Sequence, residues 1–218
     1  MKGVSCVMKV IALIGCTASG KDSVLKEALK IDRQGVIIPV ISTTSRPARE
    51  NEINGKDYFF IDHNKADEML KNNEFIECRE YIVADGSRWI YGITKNQIDI
   101  TSDKTYVCII DLQGLKQLEN YLKGIDKEDN LISIFIDAKA QIRLMRALQR
   151  ESDLTDIQVN EICRRNLDDY KNVIPGKKYC SAVMENNNEN DMYKCAMLIN
   201  HIARNEDRWI KNIIYMNQ

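Results

Sequence analysis

The chain has 218 residues, of which 44% are hydrophobic and 29% charged, with only 3 Pro and 10 Gly. This excludes collagen-like, low-complexity and disordered classes, and the length suits one large domain or two small ones. With 31 Lys and Arg against 32 Asp and Glu the net charge is −1, so no bulk field draws the chain onto nucleic acid or an anionic membrane, and phosphate recognition has to be local.

The run from Val4 to Gly15 is apolar enough to resemble a short signal core. Lys9 interrupts it, a Gly-rich turn follows, and no apolar stretch reaches the ~18 residues of a membrane span, so the chain is expected neither to span nor to cross a membrane. Within that run, Val10 to Ile14 reads as a buried strand, and Lys21 to Ile31 sets Val24, Leu25, Ala28 and Leu29 at helical spacing. A β-rich run from Val36 to Ile41 precedes a polar segment, Ser42 to Lys56, and the short strand candidates Tyr58 to Ile61, Phe75 to Val83 and Trp89 to Ile93 suggest a small antiparallel lobe. Tyr106 to Ile110, a helix from Leu112 to Lys123, and Leu131 to Ile136 restore the alternation of a parallel α/β sheet. Ala138 to Tyr170 reads as two charged helices broken near Ser152 to Thr155. A last strand, Ser181 to Met184, leads through an Asn-rich loop into a helix ending near Arg204, whose Met and aromatic residues are expected to pack on the sheet. Seven Cys are scattered without C-x-x-C spacing, which implies reduced thiols and a cytoplasmic protein.

Between the first strand and the first helix lies Gly15-Cys16-Thr17-Ala18-Ser19-Gly20-Lys21. Glycines let such a loop wrap closely enough for its N–H groups to face phosphate oxygens, the helix N-terminus adds positive potential, and Lys21 neutralises the outer phosphates. The strand–loop–helix setting makes G-x-x-x-x-G-K a P-loop for ATP, with Asp22 and Ser23 closing the set. A P-loop usually continues with Ser or Thr as a Mg²⁺ ligand, and here Asp22 stands there instead. Its carboxylate can hold Mg²⁺ directly or repel the nucleotide phosphates, and both outcomes stay open.

Farther on, Arg46 and Arg49 stand three apart and Tyr58 follows a Gly turn; guanidinium forks bind phosphate bidentately and a phenol adds a hydrogen bond. This stretch, Ser42 to Tyr58, together with Asn73 to Glu77, resembles the S-x-T-T-R-x-P-R…G-x-D-Y and N-x-x-F-[IL]-E segments of the guanylate kinase family. The resemblance runs from the P-loop to about Ala182. It implies an α/β fold with a P-loop NTPase-type parallel sheet flanked by helices, an inserted small acceptor-binding β lobe and a helical lid. One domain would comprise a core of residues 1–42, 103–138 and 170–218, an acceptor lobe of 43–102 and a lid of 139–169. It further implies transfer from ATP, with Mg²⁺, to GMP or dGMP. By position, Arg46, Arg49, Tyr58 and Tyr91 resemble the acceptor-phosphate residues, and Ser42, Glu77 and Asp111 those that read guanine. A carboxylate at Glu77 accepts from guanine N1–H and the 2-amino group, whereas adenine offers no matching donors. Arg146, Arg150, Arg164 and Arg165 resemble the lid; Arg146, Arg150 and Arg165, with Lys21, are the implied catalytic set, although spacing alone also fits a solvated helix pair.

The sequence departs from the family pattern beyond Asp22. Ile109 stands where an acid helps place Mg²⁺, a loss for which Asp22 could compensate. Ile93 replaces a hydroxyl that contacts the base, and Tyr81 to Trp89 is longer than the usual turn. A guanylate-kinase-like binding module and a kinase of another phosphorylated acceptor are therefore the rival readings. His63 and His201 are lone histidines with no ligand partners nearby, and Cys16 reads as a small filler of the loop.

Overall fold

The computed structural model describes residues 8–82, 86–150 and 153–205. Its chain divides into two compact units, Met1–Val10 with Ile38–Leu131, and Ile11–Ile37 with Ile132–Gln218. Strands β1 (Lys9–Ile14), β2 (Ile37–Pro39), β7 (Thr105–Ile109), β8 (Leu131–Asp137) and β9 (Ala182–Glu185) form one sheet in the order β2-β7-β1-β8-β9. In it β8 and β9 run parallel, with Ile134 opposite Ala182. The order fits an α/β parallel sheet flanked by helices, because strands adjacent in space are separated in sequence by helical crossovers.

In the second unit, α1 (Lys21–Ile31) and α6 (Glu189–Ala203) pack together. Val24 and Ala28, one turn apart, are fully buried on α1, and Leu198, Ile199 and Ile202 are buried on α6. Asn200 is an interior polar residue that ties the two helices together: its Nδ2 donates to Ala28 O at 2.9 Å and Ala196 O at 3.1 Å. α6 therefore rests chiefly on α1 and also meets β9, rather than on the sheet alone, and Tyr193 stays half exposed. The expected charged helix pair is α4 (Ala140–Leu148) and α5 (Asp156–Asp168), and Thr155 caps α5 with a reciprocal Gln158 contact. Helical turns continue through Asp169–Val173 and Ile174–Tyr179.

The first unit carries a second sheet in the order β4-β3-β6-β5, made of β3 (Thr43–Thr44), β4 (Phe59–Phe60), β5 (Phe75–Ile82) and β6 (Arg88–Thr94). The expectation of an antiparallel lobe holds for β3–β6 and β5–β6 but not for β3–β4, which run parallel. Thr43 and Thr44 lie in the polar segment Ser42 to Lys56, yet both are buried, and the Thr44 hydroxyl donates to Ile90 O at 2.8 Å. A helix absent from the sequence reading, α2 (His63–Lys71), is capped by Asp62 and buries Ala66 and Met69. The ends of the segment Tyr81 to Trp89 belong to the β5–β6 hairpin, since Tyr81 pairs with Trp89 and Ile82 with Arg88. Val83 and Ser152 lie outside the described residues.

α3 (Leu112–Lys123) packs on β5, burying Leu115, Leu118 and Leu122. Gln117 clamps the contact, accepting from Cys78 N at 2.9 Å and donating to Cys78 O at 2.8 Å. This docking holds the head of α3 beside the face of β5 that carries Glu77. Leu118 is fully buried, so Leu118→Ala should cost about 2–5 kcal/mol, read as a lowered urea midpoint of unfolding at unchanged slope.

Candidate active site

The loop after β1 depends on two backbone angles. Gly15 has φ 151° and Gly20 φ 90°. A Cβ at Gly15 would meet Ile136 O at 2.3 Å, and one at Gly20 would meet Asn186 Nδ2 at 2.4 Å. Both positions therefore require glycine. Lys21 opens α1 and folds its ammonium onto the loop, donating to Gly15 O at 2.8 Å and Cys16 O at 2.9 Å. Burial lowers its pKa; the neighbouring Asp22 charge opposes that shift and Arg150 adds to it. Asp22 and Ser23 are exposed on the first turn of α1.

Residues from distant parts of the chain hold the loop. Asn186 Nδ2 donates to Ser19 O at 2.7 Å, and Arg146 Nη1 to Asn186 O at 2.9 Å and Ser19 O at 3.4 Å. Thr17 N donates to Asp169 Oδ2 at 2.7 Å, and buried Arg143 donates to the same oxygen at 3.3 Å. Ser19 Oγ and Asn186 Oδ1 are buried with no hydrogen-bond partner among the described residues. The loop thus keeps an unmet polar group inside, while Asp169, an anion, occupies one of its N–H groups. Both properties belong to a concavity that receives phosphate.

The lid arginines are disposed differently from one another. α4 ends at Leu148, so Arg150 lies beyond the helix and does not share its face with Arg146. Arg146 is engaged with the loop, Arg150 is exposed, and Arg165 is exposed with its Nε on Glu161 Oε1 at 2.7 Å. Arg164 takes both Glu161 oxygens, and together these bonds hold the Glu161 pKa at about 2.

In the first unit, Arg46 is buried. Its Nε donates to Tyr91 Oη at 3.1 Å, its terminal nitrogens grip Glu52 at 2.9 and 2.8 Å, and its guanidinium lies 5.3 Å from the Tyr58 ring centre. Glu52 also accepts from Arg49 N at 2.8 Å, so one carboxylate gathers the two arginines of the motif. Tyr91 packs edge-on against Tyr58 and Tyr81, with ring centres 6.0 and 5.7 Å away. The Tyr81 hydroxyl donates to Asp111 Oδ2, while Asp111 Oδ1 caps α3 by accepting from Gly114 N at 2.8 Å. Glu77 is buried and held by Arg79 at 2.9 and 3.1 Å; burial pushes its carboxyl pKa up, against the pull of Arg79. Arg46, Tyr58, Tyr91, Glu77 and Asp111 are thereby linked through Tyr81 and Arg79. Ser42 directly precedes β3, its carbonyl accepting from Phe59 N at 2.9 Å, and Arg49 is exposed. Ile93 is fully buried in the core and offers only its backbone to this cluster.

The sequence reading assigned no site role to Glu52, Arg79, Tyr81, Arg143, Asp169 or Asn186. For Arg79 and Tyr81 a signal existed: strand periodicity puts them on the same face as Glu77. For Asp169 and Asn186, more than 150 residues from their loop partners, there was none.

A strand, a loop with two positive-φ glycines and a lysine at the head of the following helix define a P-loop nucleotide-binding α/β protein. The guanylate kinase family model matches residues 7–201, past the Ala182 limit of the sequence resemblance. Guanylate kinase of Mesomycoplasma hyopneumoniae (strain 7448) is 31% identical over 189 residues, covering 81% of this chain and 92% of that protein. That of Rhodopirellula baltica is 28% identical over 191 residues, covering 75% and 89%. The crystal structure of guanylate kinase from Anaplasma phagocytophilum superposes with a TM-score of 0.63 over 92% of this chain and 86% of that one, at 22% identity, a likeness of fold. This chain belongs to the guanylate kinase family.

The surroundings of Cys16 settle its chemistry. Burial raises its pKa to about 11, so its nucleophilic thiolate is scarce at neutral pH. Among the described cysteines, exposed Cys163 should be alkylated first by iodoacetamide at pH 7.5, with Cys16 labelling rising about tenfold per pH unit toward 11, as peptide mass mapping would show.

Proposed function

We propose that this chain transfers the terminal phosphoryl group of ATP to GMP or dGMP, giving ADP and GDP or dGDP. The observation that carries this reading is the Gly15–Lys21 loop, whose lysine is already drawn onto the loop at the head of α1. In this reading Gly15, Cys16, Thr17, Ala18, Ser19, Gly20, Lys21, Asp22 and Ser23 bind ATP, with the loop N–H groups and Lys21 neutralising charge as the phosphoryl group departs. Arg150 and Arg165, both exposed, are the cations available to the transferred group. Arg146 steadies the loop it touches. Arg46, Arg49, Tyr58 and Tyr91 take the acceptor phosphate, which displaces Glu52 from Arg46, and Ser42, Glu77 and Asp111 belong to the base site, Glu77 there being covered by Arg79. The division into core, acceptor lobe of 43–102 and lid of 139–169 belongs to the same proposal, as does a cytoplasmic location. In support of the latter, none of the six described cysteines is in a disulfide.

Magnesium in nucleotide sites takes one or two carboxylates and completes its shell with phosphates and water. The described residues contain no cluster of three or more His, Cys, Asp or Glu able to hold a metal, but Asp22, exposed beside Lys21, meets this lesser requirement. Asp22 would hold the ion, which when bound draws charge from the β and γ phosphates.

An assay of ADP formation with MgATP across GMP, dGMP, AMP and UMP tests the proposal: GMP or dGMP should be turned over and AMP not, whereas equal turnover of AMP would defeat it. Lys21→Ala should lower kcat by ~10²-fold or more while calorimetry shows GMP binding nearly unchanged, since GMP would contact other residues. Asp22→Ser restores the usual hydroxyl, yet it should lower kcat and shift the Mg²⁺ titration to higher concentration; a gain in kcat/KM would instead mark Asp22 as a repelling charge.

A further inference from the structure

The two acids assigned to the base are unequally accessible. The Glu77 side chain is 0% exposed and that of Arg79 9%, whereas Asp111 is 34% and Tyr81 40% exposed. Glu77 is closed in from two sides. Arg79 covers one with a bidentate pair, and on the other α3 comes so close that a Cβ on Gly114 would meet Glu77 Oε2 at 2.8 Å. A carboxylate has about four acceptor positions. Two are taken by Arg79 and a third by the backbone N–H of Ile93. Guanine would need two, for N1–H and the 2-amino group, so it cannot be read through Glu77 without evicting Arg79. Eviction would exchange the bidentate Glu77 pair for the looser contact with Asp111, 3.8 Å away, and the loss of that buried pair opposes it.

The same arrangement offers a different pair of contacts. Arg79 has five N–H donors in a planar fork, and Glu77 uses two; Asp111, beside it, is a part-exposed acceptor. A guanidinium and a carboxylate side by side match a carbonyl next to a ring N–H. Guanine and hypoxanthine share that edge, whereas adenine presents an amino group where the carbonyl would be.

Resting on the proposed transfer to a purine monophosphate, we propose that Arg79 is the specificity-determining residue of the base site. The site then accepts 6-oxopurine nucleoside monophosphates as a class, through Arg79 to the 6-oxo oxygen and Asp111 to the ring N–H, without requiring the 2-amino group. A site built to hydrogen-bond a substrate group rejects the analogue lacking it by ~10⁴–10⁵, so discrimination between GMP and IMP measures whether the amino group is read.

The test compares kcat/KM for GMP, IMP and AMP with MgATP, backed by calorimetric Kd values for each monophosphate. Wild type should prefer GMP over IMP by less than about 100-fold and reject AMP; a preference of 100-fold or more overturns the inference. Arg79→Ala bares Glu77 and should raise the GMP-to-IMP ratio at least tenfold, chiefly through a higher KM for IMP, and a smaller rise also overturns it. Arg79→Lys keeps the charge but not the fork, so its ratio should stay closer to wild type; a ratio equal to that of the alanine variant counts against the inference. Should Arg79→Ala fail to fold, as a melting curve would show, the wild-type and lysine measurements decide. Strong preference for GMP leaves the kinase reading intact while removing this one. If no monophosphate is turned over, the Kd ratio is judged by the same limit, and absence of binding by both GMP and IMP ends both proposals.

Discussion

Backbone approach at Gly15 is the constraint on which the nucleotide half of this protein depends. With φ at 151° and Ile136 O within 2.3 Å of any added Cβ, the loop lies too close to β8 for a side chain. That closeness turns the loop back on itself and lets the Lys21 ammonium reach two of its carbonyls from the head of α1. The result is a cradle of N–H groups at a helix N-terminus, where the dipole and the lysine both favour a polyanion. Asn186 and Arg146 brace the cradle through Ser19 O, which ties its shape to β9 and α4 in the same unit.

A second regularity concerns buried cations. Arg46, Arg79 and Arg143 are each at most 8% exposed, and each meets a carboxylate: Glu52, Glu77 and Asp169. A guanidinium removed from water requires such a partner, because an unpaired buried charge costs several kcal/mol. Two of the three partners are anions where a phosphate would be welcome, Glu52 on Arg46, proposed to take the acceptor phosphate, and Asp169 on the Thr17 amide. Exchange of a carboxylate for a phosphate keeps an anion on the guanidinium in bidentate geometry and adds negative charge. The Glu77–Arg79 pair differs, since it closes over an acid rather than holding a cation ready for a ligand.

Much of this was legible in the sequence. The strand, loop and first helix follow from an apolar run, glycine spacing and helical periodicity, and α1 begins and ends at the residues that periodicity indicates. The second sheet was less legible. β3 consists of two threonines inside a polar segment, and only pairing with β6 on one side and β4 on the other makes them a strand. The missed helix α2 has a clear Asp62 cap, but its nine residues carry few apolar positions, so its periodicity was weak against the charged background.

By itself the sequence determined the chemistry available: a phosphate loop with a lysine, two arginines and two tyrosines suited to a second phosphate, and acids suited to a base. Local patterns suffice for these because glycine angles, helix starts and strand alternation are properties of a few consecutive residues. Tertiary structure alone decided which of those groups are free to act. Arg146 is spent on loop carbonyls, Glu77 lies beneath Arg79, Asp111 caps α3, and Asp169 reaches a loop amide 152 residues away. Such pairings are set by the packing of elements remote in sequence, where burial obliges every charge to find a partner and the nearest one in space wins.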